Sequence, residues 1–188
     1  MATCENLTEI SPATHDVALQ IAYAGPDNFV GAPIYSRSAC FLNNEAAACL
    51  DRAIELAAEL GFRLRVFDGY RPTEAQWRLW SHTPDPNFVA DPRRGSPHSR
   101  GAAIDLTLET PSGTPLEMGT PFDDFTEQSH HGRTDIGPSA QRNRALLLGI
   151  MTAAGWDYYR NEWWHYQLFD ARRYPLLSDR AAGTQMMA

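Results

Sequence analysis

Two residues with metal-ligand chemistry stand seven positions apart in Ser96-Pro97-His98-Ser99-Arg100-Gly101-Ala102-Ala103-Ile104-Asp105: the imidazole of His98 and the carboxylate of Asp105. A catalytic zinc takes three protein donors and leaves a fourth position for water. The best candidate for the third donor is His165, in Glu162-Trp163-Trp164-His165. Glu162, three positions earlier, is placed to take a proton from the attacking water as general base. Alone, a His-x6-Asp spacing arises often in surface loops and carries little weight. Arg71, in Asp68-Gly69-Tyr70-Arg71-Pro72, adds a positioned cation, and the set is then that of a metal-assisted hydrolase acting on a carbonyl.

The elements that must position these groups are partly legible. Residues 1–16 are polar and read as a loosely held arm, followed by a short strand over Val17 to Tyr23 that Gly25-Pro26 breaks. Asn43 or Asn44 can cap a helix whose apolar face is Leu50, Ala53, Ile54, Ala57 and Leu60, with Gly61 at its end. Arg63 to Phe67 alternates as a strand and delivers Arg71 to the start of a helix, for which Thr73 and Gln76 have the spacing of a capping box. Ser81 to Pro97 is a proline-broken loop of a length usually kept for function, and it is expected to border the site.

Ala102 to Leu108 reads as a buried strand, which puts His98 in its approach loop and Asp105 inside it. Pro111-Ser112-Gly113-Thr114 then turns toward a possible hairpin partner. Met118 to Pro138 is irregular and rich in acidic residues and histidine; the adjacent His130 and His131 project apart and are assigned a structural role. Ser139 is expected to cap a third helix ending at Gly155, and the stretches 156–159 and 163–169 read as paired final strands. Residues 171–188 form a mixed tail, frayed at its end. The expectation is one α+β domain over 17–170, a central antiparallel sheet with flanking helices.

Composition narrows the function. The 188 residues are 43% apolar, enough for one proper core, and the net charge of −7 comes with no basic run to neutralise phosphates. Nucleic acid and membrane are disfavoured as partners, and a small molecule is favoured; oligomeric state is not readable. Cys4, Cys40 and Cys49 are odd in number and lack metal spacing, so they read as idle thiols. No stretch reaches the ~20 apolar residues of a membrane span, and a cytoplasmic location is expected, or a periplasmic one if a signal peptide has been removed.

The order Asp68-Gly69-Tyr70-Arg71-Pro72, Ser-x-His-x6-Asp and Glu-x-x-His resembles the VanX-type D-alanyl-D-alanine dipeptidases among the zinc D,D-peptidases. The likeness runs from about Asp16 to Phe169 and takes in Asp27-Asn28-Phe29, Met118-Gly119-Thr120, Phe122-Asp123 and Ser129-His130-His131. It implies the hedgehog/D,D-peptidase-like fold, one zinc per chain on His98, Asp105 and His165, Glu162 as general base and Arg71 as partner of the carbonyl oxygen. It further implies Asp123 and Ser96 as contacts for the substrate's ammonium, with Tyr23 and Tyr35 near the pocket. The implied reaction is hydrolysis of D-Ala-D-Ala, in cell-wall dipeptide recycling or glycopeptide resistance. Pro97 departs from the second serine of the pattern and removes a backbone N–H beside the ligand. The rivals are a D,D-carboxypeptidase trimming longer peptidoglycan peptides and a non-catalytic zinc-containing binding module, and the intact Glu162 and Arg71 count against the latter.

Overall fold

In the computed structural model, which describes residues 7–187, the alternating stretch Arg63–Asp68 forms β4. It pairs antiparallel with β5 (Ala103–Glu109), all seven of whose residues are buried. Around this pair a five-stranded sheet is built in the order β2-β4-β5-β7-β6, with β2 at Val17–Leu19, β6 at Asp157–Tyr158 and β7 at His165–Gln167. The sheet is antiparallel from β4 to β6, as expected, whereas the edge strand β2 runs parallel to β4. Three strands are shorter than their sequence patterns: the chain leaves β2 for a helical turn at Ala22–Ala24, and the final pair keeps only the residues that find partners.

A second, two-stranded sheet joins β1 (Leu7–Ile10) to β3 (Cys40–Asn43). Both strands are findings of the structure. Residues 7–10 were expected to belong to a loose arm, but Ile10 is fully buried and the backbone is paired along its length. At the other end, Asp179, at the start of the short helix α4 (Asp179–Ala182), accepts from the backbone N–H groups of Met186 and Met187 and holds Met186 buried. The tail is therefore anchored up to Met187, not frayed.

Asn43 caps α1 (Asn44–Glu59) through its Oδ1, which accepts from Ala46 N at 2.8 Å. The helix buries Ala46, Ala47, Leu50, Ala53 and Ala57 against β4 and α3 (Pro138–Ala153). Two expected caps are absent. In α2 (Thr73–His82) Thr73 is already helical and its hydroxyl turns to Glu74, so no capping box forms. In α3 the chain enters through Gly137 with Pro138 in the first turn, where the missing N–H costs nothing. The expected hairpin after β5 shrinks to a single bridge between Glu109 and Pro115.

Register brings distant residues side by side. Asp105 lies opposite His165 on β7 and opposite Asp68 on β4. The second pairing depends on a bulge between Val66, which faces Leu106, and Asp68. In unbroken register Asp68 would face Ile104 on the apolar side; the extra residue turns it to the face of Asp105.

Candidate active site

His98 sits in a helical turn, His98–Arg100, that ends at Gly101 in the left-handed conformation, φ 64°. A Cβ on Gly101 would stand 2.7 Å from Leu7 Cδ2 and 2.9 Å from Asn43 N, so the turn closes against β3 only with glycine. The Nδ1 of His98 lies 2.8 Å from the carbonyl of Gly69. As a carbonyl can only accept, Nδ1 carries the proton and the Nε2 lone pair faces inward. His165 is set the other way round: its Nε2 donates to Gln167 Oε1 at 3.1 Å, which leaves Nδ1 free to face inward.

The inward atoms converge. His98 Nε2 is 3.1 Å from His165 Nδ1 and 3.3 Å from an Asp105 oxygen, and His165 Nδ1 is 3.0 Å from the other. Donors on a tetrahedral zinc at ~2.0–2.1 Å stand about 3.3 Å apart, so this set fits that ion. It is the metal-ligand cluster found among the described residues. Burial tends to raise the Asp105 pKa, but the two histidines beside it outweigh that and hold the carboxyl below its usual range.

Arg71 leaves the end of β4 and lies 3.6 Å from Asp105 Oδ2. Its Nε and Nη2 both meet Asp68 Oδ2 at 2.8 Å, while Nη1 donates to Gln76 Oε1 at 3.1 Å. Its guanidinium carbon stands 4.9 Å from the centre of the Tyr23 ring. Nε and Nη1 each donate a hydrogen bond, and Nη2 stands in the ion pair with Asp68. Burial tends to lower the pKa of Arg71, but the surrounding carboxylates, Asp68 foremost, raise it overall, so the group stays charged.

Glu162 is in the turn before β7, its Oε2 3.9 Å from His165 Nδ1. Burial lifts its pKa to about 7 against the opposing pull of His165. Asp123 adopts φ 59°, a left-handed conformation that aspartate tolerates better than most. One carboxylate oxygen accepts from Tyr23 OH at 3.0 Å. Burial and the negative charge of Asp105 push its pKa well above the usual carboxylate range, toward the neutral acid.

His98, Asp105, His165, Glu162, Arg71, Asp123, Tyr23 and Ser96 all line one pocket of about 250 Å³. That is below the ~300–1,000 Å³ of drug-sized ligand sites, and it suits a small ligand. Ser96 also accepts from the N–H of His98 through Oγ, at 3.2 Å. Pro97 borders the pocket, and its carbonyl accepts from Arg100 N and Ala102 N.

Tyr35, expected near the pocket, packs edge-on against Tyr23 at 5.9 Å between ring centres and donates through its hydroxyl to Asp68 Oδ1 at 2.9 Å. The side chain supports the Arg71 partner. Asp68 and Gln76 were not singled out as site residues in the sequence, although Asp68 stands in the Asp-Gly-Tyr-Arg-Pro stretch. Gln167 was also missed; its signal is its place two residues after His165, on the same face of a strand.

The irregular segment that carries Asp123 is held by Arg144 of α3. This side chain donates to the carbonyls of Met118, Gln128 and His130 and to Thr120 Oγ1, and Trp163 Nε1 donates to the same Thr120 oxygen. His131 packs edge-on against Tyr158 and Tyr166, and burial lowers its pKa to about 4. The cluster of His98, Asp105 and His165 does not include His130 or His131.

Two imidazoles and one carboxylate that converge, a half-buried carboxyl 3.9 Å from one of the imidazoles and a buried guanidinium define a mononuclear metallohydrolase site. The model of the peptidase M15 family, described as D-ala-D-ala dipeptidase, matches residues 4–183, and the chain belongs to that family. It is 42% identical to the D-alanyl-D-alanine dipeptidase of Escherichia coli K12 over 96% of this chain and 93% of that one. Its identity to the D-alanyl-D-alanine dipeptidase of Enterococcus faecalis is 36%, over 83% and 88%. To that of Streptomyces coelicolor it is 38%, over 78% and 83%.

Proposed function

We propose that this protein is a zinc-dependent dipeptidase that hydrolyses D-Ala-D-Ala to two D-alanines. The observation that carries the reading is the convergence of His98 Nε2, Asp105 and His165 Nδ1 beside Glu162, in a chain whose relatives are D-alanyl-D-alanine dipeptidases over nearly their whole length. Zinc bound by these three residues supplies a Lewis acid that polarises the scissile carbonyl and lowers the pKa of water.

The chain's own groups divide the remaining work. Glu162 accepts the proton of the attacking water and returns it to the leaving amine, so one carboxyl serves both halves of the reaction. Arg71 directs N–H groups not used by Asp68 and Gln76 to the carbonyl oxygen as negative charge develops there. Asp123 pairs with the substrate's ammonium through the oxygen that Tyr23 leaves free. Ser96 acts at the same amino end and also steadies the backbone of His98. Among the described residues no helix is long and apolar enough to cross a membrane, and the net charge of −7 supports a small-molecule partner over nucleic acid.

The deciding experiment is hydrolysis of D-Ala-D-Ala, L-Ala-L-Ala and an acylated tripeptide ending in D-Ala-D-Ala by the zinc-loaded protein. Turnover confined to free D-Ala-D-Ala supports the dipeptidase. Efficient release of D-alanine from the acylated tripeptide makes it a D,D-carboxypeptidase, and no turnover of any of them makes it a binding module.

A further inference from the structure

Gln76 has the sequence position of a capping residue but is used otherwise. It is 1% exposed, and the two ends of its amide reach separate parts of the site. Its Oε1 accepts from Arg71 Nη1 at 3.1 Å, and its Nε2 donates to the carbonyl of Ala90 at 2.7 Å. Ala90 belongs to the loop between α2 and His98, of which Phe88, Val89, Ala90 and Ser96 wall the pocket.

The contact between Arg71 and Asp68 leaves a degree of freedom that Gln76 restrains. Both Nε and Nη2 meet the single oxygen Oδ2, since Oδ1 is taken by Tyr35. A fork on two carboxylate oxygens fixes the guanidinium plane, whereas contact with one oxygen allows it to pivot. The hydrogen bond from Nη1 to Gln76 restrains that pivot on the side away from Asp68 and so helps set the direction of the remaining N–H groups.

We infer that Gln76 is a positioning residue for the dipeptidase reaction: one buried amide locks the Arg71 guanidinium and ties it to the loop that walls the substrate chamber. The inference rests on the function proposed above, in which Arg71 meets the developing oxyanion.

The test is a double-mutant cycle on the zinc-loaded protein with D-Ala-D-Ala, using wild type, Gln76→Met, Arg71→Ala and the double variant, with zinc content and thermal unfolding recorded for each. Gln76→Met keeps its zinc, lowers kcat about tenfold or more, as expected for one lost bond to a charged group, and raises KM through the loop. In the Arg71→Ala background the same substitution changes kcat by less than about twofold, because its effect passes through Arg71. Unchanged kcat in Gln76→Met, or a full loss repeated in the Arg71→Ala background, overturns the positioning role and leaves the proposed function standing. Unchanged KM overturns the link to the loop. If Arg71→Ala keeps kcat within about tenfold of wild type, the oxyanion assignment itself fails. Should Gln76→Met not fold, Gln76→Asn, one methylene too short to reach both partners, goes through the same cycle with the same outcomes.

Discussion

His165 Nε2 lies 3.1 Å from Gln167 Oε1, two residues further along the same strand, and this contact decides which imidazole nitrogen faces the metal cluster. The matching contact of His98 is to a backbone carbonyl and lies beyond reach of substitution. The His165 contact, in contrast, can be removed by exchanging one side chain. Gln167→Ala is expected to weaken zinc binding about 10- to 100-fold, the usual effect of losing such an outer partner. Competition with a chromophoric chelator measures it, and unchanged affinity would show that the tautomer is set elsewhere.

Glu162 Oε2 stands 3.9 Å from His165 Nδ1, wider than the 3.0, 3.1 and 3.3 Å between the three clustered donors, and it is not part of that cluster. Glu162→Gln should therefore retain zinc and fold while turnover falls by at least ~10², the lower end for general acid–base catalysis. Metal analysis alongside kinetics separates the roles: a variant that loses its zinc would make Glu162 a ligand.

Asp123 is expected to govern substrate choice. Its carboxyl accepts a hydrogen bond from Tyr23, and an acylated amino end would leave it without a cation from the substrate. Asp123→Ala should raise KM for D-Ala-D-Ala roughly 10-fold or more, since a lost buried charge pair costs ~2–5 kcal/mol. N-acetyl-D-Ala-D-Ala should be a poor substrate of the wild type. Equal KM values for wild type and variant would remove Asp123 from substrate binding.

Gly101 is expected to be a stability residue. Alanine there meets both a left-handed backbone, worth roughly 1–2 kcal/mol, and two contacts under 3.0 Å, one of them backbone. Gly101→Ala should lower the unfolding temperature by at least ~3 °C. Calorimetry on the zinc-loaded protein checks it, and an unchanged midpoint would mean that β1 and β3 shift at little cost.

The sequence by itself determined the chemistry and the local frame. The donor types of His98, Asp105 and His165, the carboxyl three residues before the last of them, the α1 cap at Asn43 or Asn44 and the buried run of β5 depend on residue type and short-range period, which a window of a few residues contains. Tertiary structure decided what depends on register and on contacts far apart in the chain. The bulge that turns Asp68 toward Asp105, the hydrogen bond of Tyr35 to Asp68, and the pairing of residues 7–10 with β3 have no local signature. Gln76 shows the reason most directly. Its spacing from Thr73 satisfies a local rule, but a buried amide goes to the partners that packing provides, and here those are a guanidinium five residues back and a carbonyl fourteen residues on.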